Sequence, residues 1–137
     1  MIKKFVSLFF AFVLALTMIG EVSASDISIY DISGHTKSST LSIANKTATC
    51  TSRYRSSGND CESIAVVQTL EKHSWLFFWD TIGNERKTTV YSGDLSFINY
   101  KYNLESGTYR VKSVFTVKLK DGRSETVTVY SDEKTVS

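Results

Sequence analysis

The segment Tyr109-Arg110-Val111-Lys112-Ser113-Val114-Phe115-Thr116-Val117 sets Tyr109, Val111, Ser113, Phe115 and Val117 two residues apart. Successive strand side chains point to opposite faces, so a two-residue period marks a strand with one face on a core. No segment after residue 24 carries a helical period of comparable length. Asp121-Gly122 follows as a hairpin turn signal, and Thr126 to Tyr130 returns as the expected last strand.

Shorter versions of the pattern fill the rest of the chain. Ile27-Ser28-Ile29 and Leu41-Ser42-Ile43 alternate, with turns expected at Ser33-Gly34-His35 and Asn45-Lys46. Thr47 to Tyr54 predicts a strand with Ala48, Cys50, Ser52 and Tyr54 on one face. The polar loop Arg55 to Asp60 ends it. Glu62 to Lys72 predicts a further strand, interrupted at His73-Ser74. Thr88 to Tyr91 and Leu95 to Ile98 supply more strand material, split by Ser92-Gly93-Asp94. About seven short strands with no strand–helix–strand spacing imply an all-β, antiparallel sandwich, with an up-and-down barrel as the alternative.

The first 24 residues read as a cleaved signal peptide. Lys3 and Lys4 precede the apolar run Phe5 to Ile19, and Val22-Ser23-Ala24 is a small-x-small cleavage site. The alternative is an uncleaved anchor, for which the run is short against the roughly 20 residues that a bilayer requires. The chain contains no proline, so no LPxTG-type sorting signal is expected, and the polar end Asp132 to Ser137 is not expected to serve as an anchor. The expectation is a secreted, extracellular protein with no membrane span after cleavage. It divides into the signal peptide 1–24, an N-terminal segment 25–39 with room for a short strand, and one sandwich domain over 40–137.

Losing Lys3, Lys4 and Glu21 with the leader takes 16 basic and 14 acidic residues to 14 and 13. A balance so near neutral argues against a nucleic-acid partner. Cys50 and Cys61 both lie in the exported part, and an even count there makes a disulfide the first reading. Two buried thiols are the alternative; a redox or metal pair is disfavoured, because the spacing is far from CxxC and no third ligand accompanies it.

Leu104-Glu105-Ser106-Gly107-Thr108-Tyr109 has the layout of a tyrosine corner, with Leu104 as packing neighbour, Gly107 as turn and Tyr109 as the corner residue. Together with Thr47-Ala48-Thr49-Cys50, Thr69-Leu70-Glu71-Lys72 followed by Trp75, Gly107 to Val111, and Glu125 to Ser131, it makes residues 40–137 resemble small secreted Ig-like proteins of Gram-positive bacteria. The resemblance implies an Ig- or fibronectin-III-like sandwich and no assigned activity. Antibody-type domains bridge the second and penultimate strands by a disulfide, and here the penultimate strand has no Cys.

No catalytic or metal-binding constellation is legible. His35 and His73 are isolated from any nucleophile signature, and HxxxH, CxxC and DxDxDG patterns are absent. The chain is therefore expected to be no enzyme and to need no cofactor. Asn45-Lys46-Thr47 is read as a turn rather than a glycosylation site.

The feature open to function is Trp75-Leu76-Phe77-Phe78-Trp79. On a straight strand Trp75, Phe77 and Trp79 would share one face, as a binding face or as core. The leading expectation is an extracellular binding module for a protein or polysaccharide. A structural protein that adds strands edge to edge in a matrix or surface layer is the alternative, and a secreted toxin or inhibitor ranks behind both.

Overall fold

A computed structural model describes residues 35–137. The signal peptide read over 1–24, the alternation at 27–29 and most of the 25–39 segment lie outside the described residues. The fold is all-β, with nine described strands in two antiparallel sheets rather than about seven. One sheet has the order β1 (His35–Ala44), β2 (Thr47–Ser56), β6 (Asp94–Lys101). The other is built on β3 (Cys61–Trp75) and β7 (Gly107–Leu119), paired over most of their lengths. On its other edge β3 pairs first with β5 (Arg86–Val90) and then with β4 (Phe78–Thr81). The far edge of β7 is likewise shared by β8 (Ser124–Tyr130) and β9 (Lys134–Val136).

Among the described residues β1 covers His35–Ala44, across positions 39 and 40. Two expectations about strand limits change. His73-Ser74 does not interrupt β3, which continues to Trp75. Tyr130 does not end the last strand, because Lys134–Val136 adds to β7 opposite Gly107–Tyr109. That short segment has no alternation long enough to register as a strand by pattern.

The turns are specified locally. Asn45 and Lys46 link β1 to β2 with φ of 51° and 59°, the positive values that a two-residue type I′ hairpin needs. The Lys46 carbonyl accepts the Leu104 N–H at 2.9 Å, tying that turn to the segment before β7. In the β7–β8 turn the Asp121 carboxylate accepts from the Arg123 backbone N–H at 2.9 Å and its Nε at 2.7 Å. These bonds hold the Asp121 pKa below its ordinary value.

The two sheets face each other across a sandwich-like core divided into layers. Leu41, Ala48 and Cys50 meet Leu70, Leu104, Tyr109, Val111 and Val136 in one cluster. Tyr54 and Leu95 meet Cys61, Ile64, Val66, Phe115, Val117 and Leu119 in the other. At the level between them four strands turn polar on their inward faces: Ser39 on β1, Ser52 on β2, Gln68 on β3 and Ser113 on β7, all buried. All five residues set two apart in β7, Tyr109 to Val117, are inward and buried.

The polar layer is a directed chain. The Gln68 amide donates to Ser52 Oγ at 2.8 Å and lies 3.3 and 3.2 Å from the carbonyls of Cys50 and Phe97. Ser52 and Ser113 share a 2.6 Å hydrogen bond, Ser113 donates to Ser39 at 2.9 Å, and Ser39 donates to the Val111 carbonyl at 3.2 Å. Each hydroxyl has one proton. With Ser52 accepting from Gln68, its own proton goes to Ser113, and the whole chain runs one way. Asn99 closes it by donating to Gln68 Oε1 at 2.9 Å.

The expected Cys50–Cys61 disulfide is not formed: both thiols are free and buried, one in each cluster. Strand register is the reason. Gln68 of β3 reaches the backbone of Cys50, whereas Cys61 lies seven positions earlier on the same strand. At about 3.3 Å per residue that is roughly 23 Å, far beyond the separation of about 7 Å that a disulfide can bridge. Burial pushes the Cys50 thiol up to about 11. The fold therefore prefers the protonated thiol, and the stability this confers is present at neutral pH and lost as pH rises from about 9 through about 11. Urea midpoints across that range should reveal an alkaline loss of roughly 2–3 kcal/mol that Cys50→Ala removes. An identical loss in the variant would assign it to other groups.

Candidate functional site

The aromatic run does not form one straight strand. β3 ends at Trp75, the chain turns at Leu76-Phe77, and β4 begins at Phe78. Trp75 pairs with Phe78 and His73 with Trp79, with the register slipping by one between His73 and Trp75. The shared face expected for Trp75, Phe77 and Trp79 is thereby replaced by a hairpin tip. Leu76 and Phe77 stand at the apex, Trp75 and Phe78 stack behind them, and Trp79 sits at the base.

Nothing among the described residues covers the apex. Phe77 is 86% exposed, Trp75 65%, Phe78 58% and Leu76 56%. The Trp75 and Phe78 rings lie 6.1 Å apart and 3° from parallel, covering one another only in part. Two-residue hairpin loops favour Asn-Gly or Gly-containing pairs, because they require positive φ. Here Leu76 takes φ 49°, a conformation that costs a non-glycine residue on the order of 1–2 kcal/mol. A strained turn built from two large apolar residues serves neither solubility nor local stability.

The base, in contrast, is held firmly. His73 packs edge-on against Trp79 at 5.2 Å, and its Nε2 contacts the Leu76 carbonyl. Ser74 Oγ donates to the Phe78 carbonyl at 3.1 Å across the slipped register. The Arg110 guanidinium lies between the rings of Trp79 and Tyr130, 4.0 and 4.2 Å from their centroids. Its Nε donates to Glu71 at 2.9 Å. One cation thus joins β3, β4, β7 and β8 on the outer face of the larger sheet. Lys72, the next charge behind the tip, pairs with Glu105 at 3.5 Å and lies 5.9 Å from the Tyr109 ring.

Leu104, Gly107 and Tyr109 come together at the start of β7. Leu104 and Tyr109 are buried, and the Tyr109 hydroxyl donates to the Glu105 carbonyl at 2.7 Å. Gly107 has φ 154°, and a β-carbon there would lie 2.5 Å from Lys72 Cε. The Lys72 chain end can swing aside, so it is the backbone conformation that restricts the position.

Sequence reasoning missed Arg110 as the brace of Trp79, because a cation and a ring 31 positions apart leave no local signal. It also missed Gln68, although the spacing Ile64, Val66, Gln68, Leu70 sets that amide on the inward face. No group of three His, Cys, Asp or Glu side chains converges as a metal site among the described residues. A cleft of about 130 Å³ lies beside Ile82, Asn84, Arg86 and Tyr100, away from the hairpin tip. No helix among the described residues is long and apolar enough to cross a membrane. No protein-family model matches the chain, and no curated protein matches it in sequence.

Proposed function

We propose that the chain is a secreted, non-catalytic binding module on an Ig- or fibronectin-III-like sandwich, similar to small secreted Ig-like proteins of Gram-positive bacteria, and that it binds through the β3–β4 hairpin tip. The fold assignment draws support from the sheet edges. Ile82 N–H donates to the Leu70 carbonyl between β4 and β5, and Ser131 N–H to the Val111 carbonyl between β8 and β9. Taking each pair as one interrupted ribbon reduces nine strands to seven, three facing four. The Tyr109–Glu105 bond supports reading Leu104, Gly107 and Tyr109 as a tyrosine corner.

The observation that carries the binding reading is the exposed, strained apolar apex on a braced base. Four consecutive large apolar side chains facing water, on a turn that ordinary turn residues would stabilise, are accounted for by contact with another surface. A screen of the purified chain against polysaccharides and extracellular matrix or cell-surface preparations tests this, with tryptophan emission as readout. A binding partner should shift the emission, and Trp75→Ala should weaken its binding about tenfold or more while leaving the thermal midpoint unchanged. Binding that survives Trp75→Ala intact would remove the tip from the recognition surface.

A further inference from the structure

Resting on the reading of the tip as a binding site, we propose that its partner is the surface of a lipid bilayer, and that the hairpin inserts its apex among the acyl chains. The first reason is the order of side chains along the hairpin. Leu76 and Phe77 at the apex carry no polar atom. Trp75, with one indole N–H, comes next beside Phe78. Trp79 and His73 follow, then Lys72 and Asp80, which are paired across the ladder. Hydrocarbon, amphipathic ring and charge thus succeed one another as they do from the acyl chains to the headgroups of a leaflet. From apex to His73 is three strand steps, about 10 Å, comparable with the roughly 5–10 Å to which interfacial segments penetrate.

The second reason is shape and charge. The tip is convex and ends in two adjacent apolar side chains, so it needs a partner that can deform around it. A folded protein would instead present a preformed pocket, with polar groups to match the charges behind the tip. The two cations are satisfied within the chain, Lys72 by Glu105 and Arg110 by Glu71 between two rings, and the acid Asp80 gives an anionic lipid nothing to pair with. A surface recognised by burial of hydrocarbon alone remains. The contact should therefore form on neutral phosphatidylcholine and need no anionic lipid.

Both tryptophans of the chain, Trp75 and Trp79, lie in this hairpin. Tryptophan emission therefore reports the tip alone, whatever other part of the chain meets lipid. Phosphatidylcholine vesicles added to the full chain should shift the emission to the blue. Lipids brominated near the carbonyl end should quench it more than lipids brominated at the chain terminus. The shift should persist at about 1 M salt, where the Debye length is only roughly 3 Å. Phe77→Asp should weaken the response about tenfold to a hundredfold and Phe77→Leu should largely retain it, both with the thermal midpoint of the parent.

Emission indifferent to vesicles, or a vesicle response equal in Phe77→Asp and the parent, overturns the lipid proposal. If that emission shifts instead with a matrix protein or polysaccharide and Phe77→Asp abolishes the shift, the lipid proposal falls and the binding tip stands. Dimers in gel filtration that Phe77→Asp dissolves, without a vesicle response, would make a second copy the partner. No response to any of these surfaces removes both readings.

Discussion

Replacing Gln68 by Leu should destabilise the domain by about 2–4 kcal/mol despite a similar side-chain volume and apolar clusters on either side. Gln68 lies in the layer between the two core clusters, where its amide serves Ser52 and the carbonyls of Cys50 and Phe97 while its oxygen receives Asn99. Leucine leaves those groups in place and removes their partner. A polar group stripped of its partner inside a core loses its solvation without recompense, at roughly 1–3 kcal/mol each. Ser52 suffers least, since its proton still goes to Ser113. Asn99, half-buried, loses its acceptor, and the two carbonyls lose a donor at 3.3 and 3.2 Å. The urea midpoint should fall by roughly 1–2 M with the slope unchanged. Adding Asn99→Leu to Gln68→Leu should recover part of that loss, because removing both ends of a buried hydrogen bond is less costly than removing one. A midpoint unchanged in the single variant would mean that the layer contributes nothing.

The same residue marks the limit of what the pattern of the chain reveals. The alternation in β2 and β7 placed Ala48, Cys50, Ser52, Tyr54 and the Tyr109–Val117 set on their buried faces, since period two is a local property that needs no partner. Register between sheets is not local. Cys50 and Cys61 are close in sequence, and only the reach of Gln68 to Cys50 reveals that β3 carries Cys61 to the other cluster. The hairpin tip was hidden for another reason. Five consecutive large apolar residues have no alternation to break, and Leu76-Phe77 has none of the Gly, Asn or Pro that announces a turn. The chain turns there without such a residue, and the residue at positive φ is a leucine. β9 was missed because a three-residue strand of Lys134, Thr135 and Val136 is defined by its pairing to Gly107–Tyr109 rather than by its own composition. What could be read locally was the face of each strand; what required the folded partner was where the strand turns and what it meets.

Phe115 and Phe77 should respond oppositely to truncation. Phe115→Ala should cost about 3–5 kcal/mol, and Phe77→Ala should stay within about 0.5 kcal/mol of the parent. Phe115 has no exposed surface and pairs with Val66 on one side and Val127 on the other. Its ring meets that of Tyr54 from the opposite sheet, 5.5 Å away and tilted by 51°. Tyr54 is itself fully buried and stacks on His35 at 4.6 Å. Truncation therefore opens a cavity enclosed by both sheets, which β strands locked in register cannot collapse to fill. On a domain of about 100 residues the loss should lower the thermal midpoint by more than roughly 12 °C, a large part of the 5–15 kcal/mol that holds such domains folded. Phe77, 86% exposed at the hairpin apex, has few contacts to lose. Its truncation should instead weaken whatever surface binding the chain displays. If Phe115→Ala proved mild, the two sheets would not be packed through that ring. If Phe77→Ala proved severe, the tip would be part of the core, and binding through it would have no physical basis.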